Sequence, residues 1–289
     1  MTAGYQALRE HAAWIDLSGR GKIRVSGEDR ARLLHAMTTN NIQALKPGEQ
    51  CYAFFLNAQG RILGDVNVLC FEDHFLLDTE PETRQKLYEH LDRYIIADDV
   101  TLEDVTDRLA TFAIEGPDSA SVVEKLGSPP DVIIRELNST GSPGFFLFGQ
   151  IERLRELVQE LPEANAEEAR IVRIEHGKPR YGEEITERYL VQETNQLQAI
   201  HFSKGCYLGQ EIVERVRSRA QIHRLLRKLE IDTAVPPPPG TKLKSGDADA
   251  AEIASAVFSP AFQKSVALAY VRTPFAEPGT QIDSTTYVV

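Results

Sequence analysis

The chain has few cysteines and no long apolar run, and each absence excludes a class of protein. Among its 289 residues are only three cysteines, none of them in a C-x-x-C pair. Such a sparse, odd set argues against a disulfide framework and against a structural zinc site, so no metal is expected. No apolar run approaches the roughly 18 residues that span a bilayer, so no membrane partner is expected.

The chain also lacks an export signal and an excess of positive charge. The first residues, "MTAGYQALREHAAWIDL", contain no apolar core and no cleavage site, which predicts a cytoplasmic location. The net charge of −11 disfavours a nucleic-acid partner. A P-loop and an H-E-x-x-H motif are absent as well, so the sequence indicates neither a nucleotide loop nor a metalloprotease.

The apolar pattern predicts an α+β protein with largely antiparallel sheets. Strand-like and helical stretches mix, and hairpin turns such as "NAQG" and "FEDH" outnumber strand–helix–strand crossovers. The segment "TAVPPPPGTKL" holds four consecutive prolines, which form a stiff linker. The chain beyond it has short strands and no clear helix. This predicts a small antiparallel β-barrel whose first strand is "HRLLRKLEI".

The stretch "KGCYLGQE", residues 204–211, places a cysteine between a predicted strand and a predicted helix. Two flanking glycines let the backbone turn tightly around Cys206 and approach a ligand. A helix can begin at about Leu208, and its N-terminus and the nearby Lys204 would both favour the thiolate. The alternative is a buried thiol at a tight turn, and the local sequence does not separate the two.

Two carboxylates are further candidates. Glu175 comes one turn before a predicted helix end, where it could enter a pocket and accept two N–H bonds from a flat heterocycle. The alternative is a surface glutamate paired with an arginine. Asp65 lies in the apolar strand "GRILGDVNV", with Asn67 on the same face. It either faces water or is buried, and a buried aspartate could bind an amine or serve in acid–base chemistry.

Positive charge is concentrated around and after the cysteine. Residues 204–228 carry seven lysines and arginines against two glutamates. This imbalance is compatible with a local anion or polyanion site on an acidic protein. The alternative is an ordinary solvated helix followed by an edge strand.

The octapeptide "KGCYLGQE" resembles the K-G-C-Y-x-G-Q-E signature of the YgfZ-type folate-binding proteins. These are a branch of the GcvT superfamily, named for the glycine cleavage T-protein, an aminomethyltransferase. Other stretches resemble superfamily motifs in the expected order, and together they cover nearly the whole chain. They are "VSGEDRARLLHAMTTNNI", "GRILGDVNV", "RIEHGKPRYGEEI" and "SAVFSPAFQKSVALAYVR".

The resemblance implies a three-domain ring around a folate-sized hole. Two α+β antiparallel-sheet units would come from residues 1–222, which form the folate-binding region, and a small β-barrel from residues 223–289. The implied cofactor is tetrahydrofolate or a one-carbon derivative of it.

The resemblance also implies roles for individual residues. Glu175 resembles the glutamate that anchors the pterin ring, and Asp65 matches the T-protein aspartate beside the reacting folate nitrogen. Cys206 would face the same cavity, and we predict Cys206 and Asp65 as the catalytic groups. The predicted folate-binding residues are Glu175, Asp65, Lys204, Gln210 and Arg215.

Three hypotheses for function follow from the resemblance. The first is a tetrahydrofolate-binding accessory protein that supports iron–sulfur cluster assembly or repair, with iron–sulfur proteins or cluster carriers as partners. One cysteine cannot hold a cluster, so a second chain or small thiols would supply the other ligands. The second is a tetrahydrofolate-dependent aminomethyltransferase. The third is a related folate-dependent demethylase or oxidase subunit, or a binding scaffold without chemistry.

Overall fold

The computed structural model describes residues 2–219 and 222–289 and shows a mixed α/β fold in which every described strand pair is antiparallel. The predicted class is therefore confirmed. Residues 220 and 221, at the end of the predicted folate-binding region, lie outside the described residues. The chain divides into two compact units. Unit 1 is Met1–Gly19, Arg108–Pro179 and Arg224–Val289, and unit 2 is Arg20–Asp107 and Arg180–His223.

The described α-helices are short, and none of them is long and apolar enough to cross a membrane. They are α1 (Ala3–Glu10), α2 (Arg30–Met37), α3 (Arg84–Tyr94), α4 (Ser119–Leu126), α5 (Ile151–Val158), α6 (Ala166–Glu175) and α7 (Gln210–Arg219).

The strands form one sheet in unit 2 and two sheets in unit 1. They are β1 (Ala13–Asp16), β2 (Gly21–Ser26), β3 (Gln50–Leu56), β4 (Ile62–Cys70), β5 (His74–Thr79), β6 (Thr101–Asp104), β7 (Ala110–Glu115), β8 (Ile133–Arg135), β9 (Gly144–Gly149), β10 (Arg224–Ile231), β11 (Lys242–Ser245), β12 (Ala248–Ser259), β13 (Lys264–Arg272) and β14 (Thr286–Val288).

The sheet of unit 2 has the order β3-β4-β5-β2-β6. The predicted turns "NAQG" and "FEDH" connect β3 to β4 and β4 to β5, as expected. One face of the sheet packs with α2 and α3 in an apolar core that includes Val66, Val68 and Leu87. The other face packs against the segment from Tyr181 to Val213. Both faces are packed, so a polar side chain on the sheet can be buried, as Asp65 is.

A β-bulge in unit 2 determines which face Asp65 occupies. The β3–β4 register shifts between Phe55 and Leu56. As a result Ile62 and Asp65, three residues apart, both lie on the face that packs against the segment 181–213. Asp65 stands directly opposite Phe54 on that face.

Unit 1 contains two sheets, in the orders β1-β7-β9-β8 and β11-β12-β13-β10-β14. The second is a half-barrel sheet where the C-terminal β-barrel is predicted, and β10 corresponds to the predicted first strand "HRLLRKLEI". From residue 240 to residue 289 the structure contains no α-helix, also as predicted. The helix α1 and the strand β1 were not predicted.

Helix α6 places Glu175 in unit 1 and has well-defined ends. It begins at a capping box, in which the Asn165 side chain accepts backbone N–H bonds and the Glu168 side chain accepts from the Asn165 N–H. It ends before Gly177, whose φ of 72° is the left-handed conformation that glycine adopts most readily. Glu175 is the last helical residue, whereas the sequence predicts it one turn before the helix end.

Candidate functional site

Asp65 in unit 2 is buried and keeps one carboxylate oxygen without a partner. Only 6% of the residue is exposed. The Tyr52 hydroxyl donates a hydrogen bond to Oδ2 at 2.8 Å. The other oxygen, Oδ1, is also buried and accepts no hydrogen bond from the described residues. The water-facing alternative for Asp65 is therefore wrong, and one buried acceptor has no donor among the described residues.

A chain of ion pairs lies beside Asp65, at the ends of strands of the same sheet. Arg20 donates to Asp78 from Nε at 2.9 Å and from Nη2 at 2.8 Å, and its Nη1 donates to Glu80. The second oxygen of Glu80 accepts from Nε of Arg180 at 2.9 Å. Asn67, on the same face as Asp65 as predicted, donates to Asp78 at 2.8 Å.

These surroundings change the proton affinity of Asp65. Burial, followed by the negative charge of Glu80, raises the pKa of Asp65 to about 6, against the opposing effects of Arg20 and of the Tyr52 hydroxyl. Burial and then Asp65 itself raise the pKa of Tyr52 well above its ordinary value, so its phenol remains a donor. A carboxyl group with a pKa near 6 can both hold and release a proton close to neutral pH.

Glu175 in unit 1 is 1% exposed, so the alternative of a surface glutamate is wrong. Its Oε1 accepts from the Tyr5 hydroxyl at 2.7 Å and from the Ser259 hydroxyl at 2.5 Å. Its Oε2 lies 3.2 Å from Nη1 of Arg9 as an ion pair but accepts no hydrogen bond. Oε2 of Glu175 can therefore accept one N–H donor. A flat heterocycle that donates two N–H bonds would also need Oε1, which already accepts from two hydroxyls.

Two of the sequence motifs meet at Glu175. Glu175 belongs to "RIEHGKPRYGEEI" and Ser259 to "SAVFSPAFQKSVALAYVR", which ends one barrel strand and begins the next. The Ser259 hydroxyl also accepts from the Phe262 N–H at 3.0 Å. The contact fixes the turn of this barrel hairpin to the end of α6 within unit 1.

Cys206 is exposed on the loop before α7, so the buried-thiol alternative is wrong. The helix begins at Gln210, two residues later than predicted. The Lys204 ammonium is buried and donates to the backbone carbonyls of His35, Thr38 and Asn40 around the end of α2. Burial lowers the pKa of Lys204 to about 8.

The other two cysteines are shielded. Cys70 is buried, and Cys51 is partly buried. Burial raises the pKa of the Cys51 thiol to about 12, and the interaction with Lys204 acts against this increase.

We expect one fast-reacting thiol in the folded protein. Of the three cysteines only Cys206 is exposed to a reagent. Cys51 has almost no thiolate at neutral pH, and Cys70 is buried. Iodoacetamide at pH 7.5 should modify Cys206 at least about 100-fold faster than either of the others. Mass spectrometry should find one adduct under native conditions and three in urea. A Cys206→Ser variant that still takes up one adduct rapidly would contradict this.

The remaining predicted folate-binding residues lie on α7. Gln210 is its first residue and is half-buried. Arg215 is exposed and pairs with Glu211 at 3.3 Å. Arg217 pairs with Glu214 at 3.4 Å. These pairs on one helix fit the solvated-helix alternative, and the folate contacts of Gln210 and Arg215 stay predictions.

No group of three histidine, cysteine, aspartate or glutamate side chains among residues 2–219 and 222–289 is placed to hold a metal ion.

The sequence reasoning missed Tyr52, Arg20 and Glu80. A signal for Glu80 was present, because Asp78 and Glu80 stand two residues apart at the end of an apolar strand, which places both on one face. Tyr52 gave no such signal, since its role depends on its position beside Asp65 across the β3–β4 pair.

The fold is that of a glycine cleavage system aminomethyltransferase. A crystal structure of aminomethyltransferase T from Bartonella henselae matches with a TM-score of 0.88 at 22% identity, covering 99% of this chain and 87% of that one. At this identity the match concerns the fold.

Two family models match parts of the chain. Residues 1–138 match the GCVT N-terminal domain, and residues 224–286 match the glycine cleavage T-protein C-terminal barrel domain. The aminomethyltransferase of Aquifex aeolicus is 28% identical over 294 residues, which cover 96% of this chain and 81% of that protein. The chain therefore contains the N-terminal and C-terminal domains of the T-protein family and is homologous to the aminomethyltransferases.

A chloroplastic protein of Arabidopsis thaliana, named as a transferase, is 30% identical over 255 residues. The match covers 79% of this chain but only 58% of the plant protein. The aminomethyltransferase of a Thermoanaerobacter species is 24% identical over 307 residues, covering 96% of this chain and 83% of that protein.

Proposed function

We propose that the protein binds tetrahydrofolate and that Asp65 faces a ring nitrogen of the bound folate. The observation that carries the proposal is the buried Oδ1 of Asp65, which has no partner among the described residues. Leaving a carboxylate oxygen unsatisfied in a covered site is costly, and an N–H donor would remove the cost. Reduced pterins carry such donors at their ring nitrogens, so the residues present fit this group.

The chemistry assigned to Asp65 is proton transfer and orientation. Bound tetrahydrofolate supplies a nitrogen that accepts or releases a one-carbon unit. Tyr52 holds Oδ2, which leaves Oδ1 directed at the ligand. With its pKa raised to about 6, chiefly by burial, Asp65 can hold a proton near that nitrogen or accept one from it.

The other predicted contacts belong to the same proposal. Glu175, Lys204, Gln210 and Arg215 remain proposed folate-binding residues. Lys204 supports the loop that carries Cys206. Within this proposal, residues 1–222 form the folate-binding region and residues 223–289 form the barrel. The proposed location is the cytoplasm.

We expect Asp65→Asn to weaken tetrahydrofolate binding by about tenfold to hundredfold. A hydrogen bond to a charged acceptor is worth about 1.5–3 kcal/mol, and each 1.4 kcal/mol corresponds to a factor of ten. Anaerobic calorimetric titration measures the change directly.

The matched control for this titration is Asp73→Asn. It removes the same charge from an exposed aspartate at the turn between β4 and β5. Its affinity should stay within about twofold of the wild type. Equal weakening in both variants would show that net charge, rather than Asp65, controls binding.

Two uses of the bound folate have a specific observation in their favour. Aminomethyl transfer is favoured by the buried Asp65 and by the aminomethyltransferase relatives. The accessory role in iron–sulfur cluster assembly or repair is favoured by the exposed Cys206 within its octapeptide. The two differ in which residue is indispensable.

Two assays separate the uses. Aminomethyl transfer requires that methylene-tetrahydrofolate forms when the other glycine-cleavage components are added. If no methylene-tetrahydrofolate forms above background, the transfer hypothesis is rejected. The accessory role requires that Cys206→Ala and Glu175→Ala lower the activity of iron–sulfur enzymes in cells. Unchanged activity with both variants removes that role.

A further inference from the structure

The ion pairs beside Asp65 form a continuous chain that ends at the surface. Glu80 lies between two arginines, with Oε1 accepting from Arg20 and Oε2 from Arg180. Arg180 in turn donates from Nη2 to both oxygens of Glu82, at 2.7 and 2.9 Å. The Arg20 side chain is 10% exposed, whereas Arg180 is 31% and Glu82 49% exposed. The chain therefore connects a solvent-accessible pair to the buried surroundings of Asp65.

Asp78 stands opposite Asn67 in the β4–β5 register, so Glu80, two residues further on, lies next to Asp65 on the same face. Glu80 raises the pKa of Asp65, whereas Arg20 lowers it. Burial alone would raise the pKa of Glu80, yet Arg20 and Arg180 hold it below its ordinary value. Glu80 thus remains a buried anion that disfavours a second negative charge on Asp65. How strongly it does so depends on how completely the two arginines compensate it.

Other charged and titratable groups near Asp65 lie on β3, on β5, on β2 and in the covering segment 181–213. Tyr52 on β3 and Tyr181 in the covering segment stay neutral, because burial raises the pKa of both. On β5, Asp78 is bound twice by Arg20. On β2, Lys22 stands opposite Asp78 in the register. Among the cations of this group, Arg180 combines partial exposure with a direct bond to Glu80.

We propose that Arg180 is a positioning residue for Asp65: by compensating Glu80 jointly with Arg20, it sets how tightly Asp65 holds its proton. The proposal rests on the proposed acid–base use of Asp65 and extends it. Arg180 does not touch Asp65, so its effect passes through Glu80. A ligand or partner that drew Arg180 toward Glu82 would make Asp65 a weaker acid.

The test is a carbon-13 NMR pH titration of the Asp65 carboxyl in the full chain without folate. The aspartates are labelled, and the signal is assigned by its absence in Asp65→Asn. In Arg180→Gln the titration midpoint of Asp65 should rise by about 0.5–1 pH unit, a threefold to tenfold tighter hold on the proton. In Glu80→Gln the midpoint should fall, because the anion itself is gone.

Two controls separate charge from structure. Arg180→Lys keeps the charge but not the forked geometry, and it should leave the midpoint within about 0.3 unit of the wild type. Arg153→Gln removes an arginine that pairs with Asp131 and Glu156 in unit 1, and the midpoint should not move. A structural role for Arg180 would lower stability without moving the midpoint.

The proposal is overturned if the midpoint is unchanged or lower in Arg180→Gln. If Arg180→Gln does not fold, Glu80→Gln tests the effect of Glu80 on Asp65 directly. An unchanged or higher titration midpoint of Asp65 in Glu80→Gln then overturns the proposal. Since folate is absent from the titration, a shifted midpoint in a protein that fails to bind tetrahydrofolate would refute the proposed function alone. Folate binding with no shift in either variant would refute only the role of Arg180.

Discussion

Asp65→Asn should make the folded protein more stable at neutral pH, by about 1–3 kcal/mol. A buried residue usually costs stability when it is replaced, but burial raises the pKa of Asp65 to about 6 in the folded chain. The ordinary value is about 3.9, and each unit of difference corresponds to about 1.4 kcal/mol. Asparagine keeps the shape and removes the buried charge, while the weaker bond from Tyr52 offsets part of the gain.

The gain should depend on pH in a defined direction. Because the folded pKa of Asp65 lies above the unfolded one, the folded state holds the extra proton between about pH 4 and pH 6. The contribution of Asp65 to stability is present in full below about pH 4 and is lost as the pH rises through 6. The advantage of Asp65→Asn over the wild type should therefore be small at pH 4 and largest at pH 7.

Urea unfolding of both proteins at pH 4, 5.5 and 7 measures this difference. Asp73→Asn is the control, because the bond to His74 holds the pKa of that exposed aspartate below its ordinary value. This control should gain no stability at pH 7. If Asp65→Asn is less stable than the wild type at pH 7, the carboxylate has a compensating partner that the structure does not show.

Lys204→Met should destabilise the protein by about 2–4 kcal/mol. The ammonium donates to three backbone carbonyls around the end of α2, and methionine leaves them without that donor. The Asn40 carbonyl keeps the Ile42 N–H as a donor at 3.1 Å. Each buried carbonyl that loses its donor costs about 1–3 kcal/mol. The net loss is smaller than the sum, because burial also disfavours the ammonium itself and lowers the pKa of Lys204 to about 8.

Lys46→Met is the matched control for this loss, since Lys46 is an exposed lysine of the same unit. It should stay within about 0.5 kcal/mol of the wild type in urea unfolding at pH 7. Equal stability of the Lys204 and Lys46 variants would show that the carbonyls find other donors and that Lys204 is free to serve a ligand.

Most secondary structure could be predicted from the sequence because its signals are local. The turns "NAQG" and "FEDH" separate apolar stretches, and Gly177 ends its helix with a backbone conformation suited to glycine. Helix α1 and strand β1 are different. Strand β1 has four residues, and its partner β7 lies about 100 residues further along the chain. No short window of sequence contains that pairing.

The candidate site could be predicted only as a set of residue types. Whether Asp65 faces water depends on a bulge and on the covering segment. Its proton affinity depends on Arg20 and Glu80, which lie at the ends of neighbouring strands. Glu175 likewise depends on the Tyr5 hydroxyl, 170 residues away. Both alternatives for each carboxylate were chemically sound, and long-range contacts decided between them.

The central claim is that this chain binds reduced folate through an unsatisfied acceptor at Asp65. Anaerobic calorimetric titration of the wild-type protein with tetrahydrofolate, and in parallel with oxidised folic acid, tests it most directly. Oxidised folic acid lacks the ring N–H donors that reduction adds, so it cannot satisfy Oδ1 of Asp65 in the same way. The account predicts binding of tetrahydrofolate and binding of folic acid that is weaker by about tenfold or more. No binding of tetrahydrofolate by the folded protein, or equal affinities for the two compounds, would contradict it.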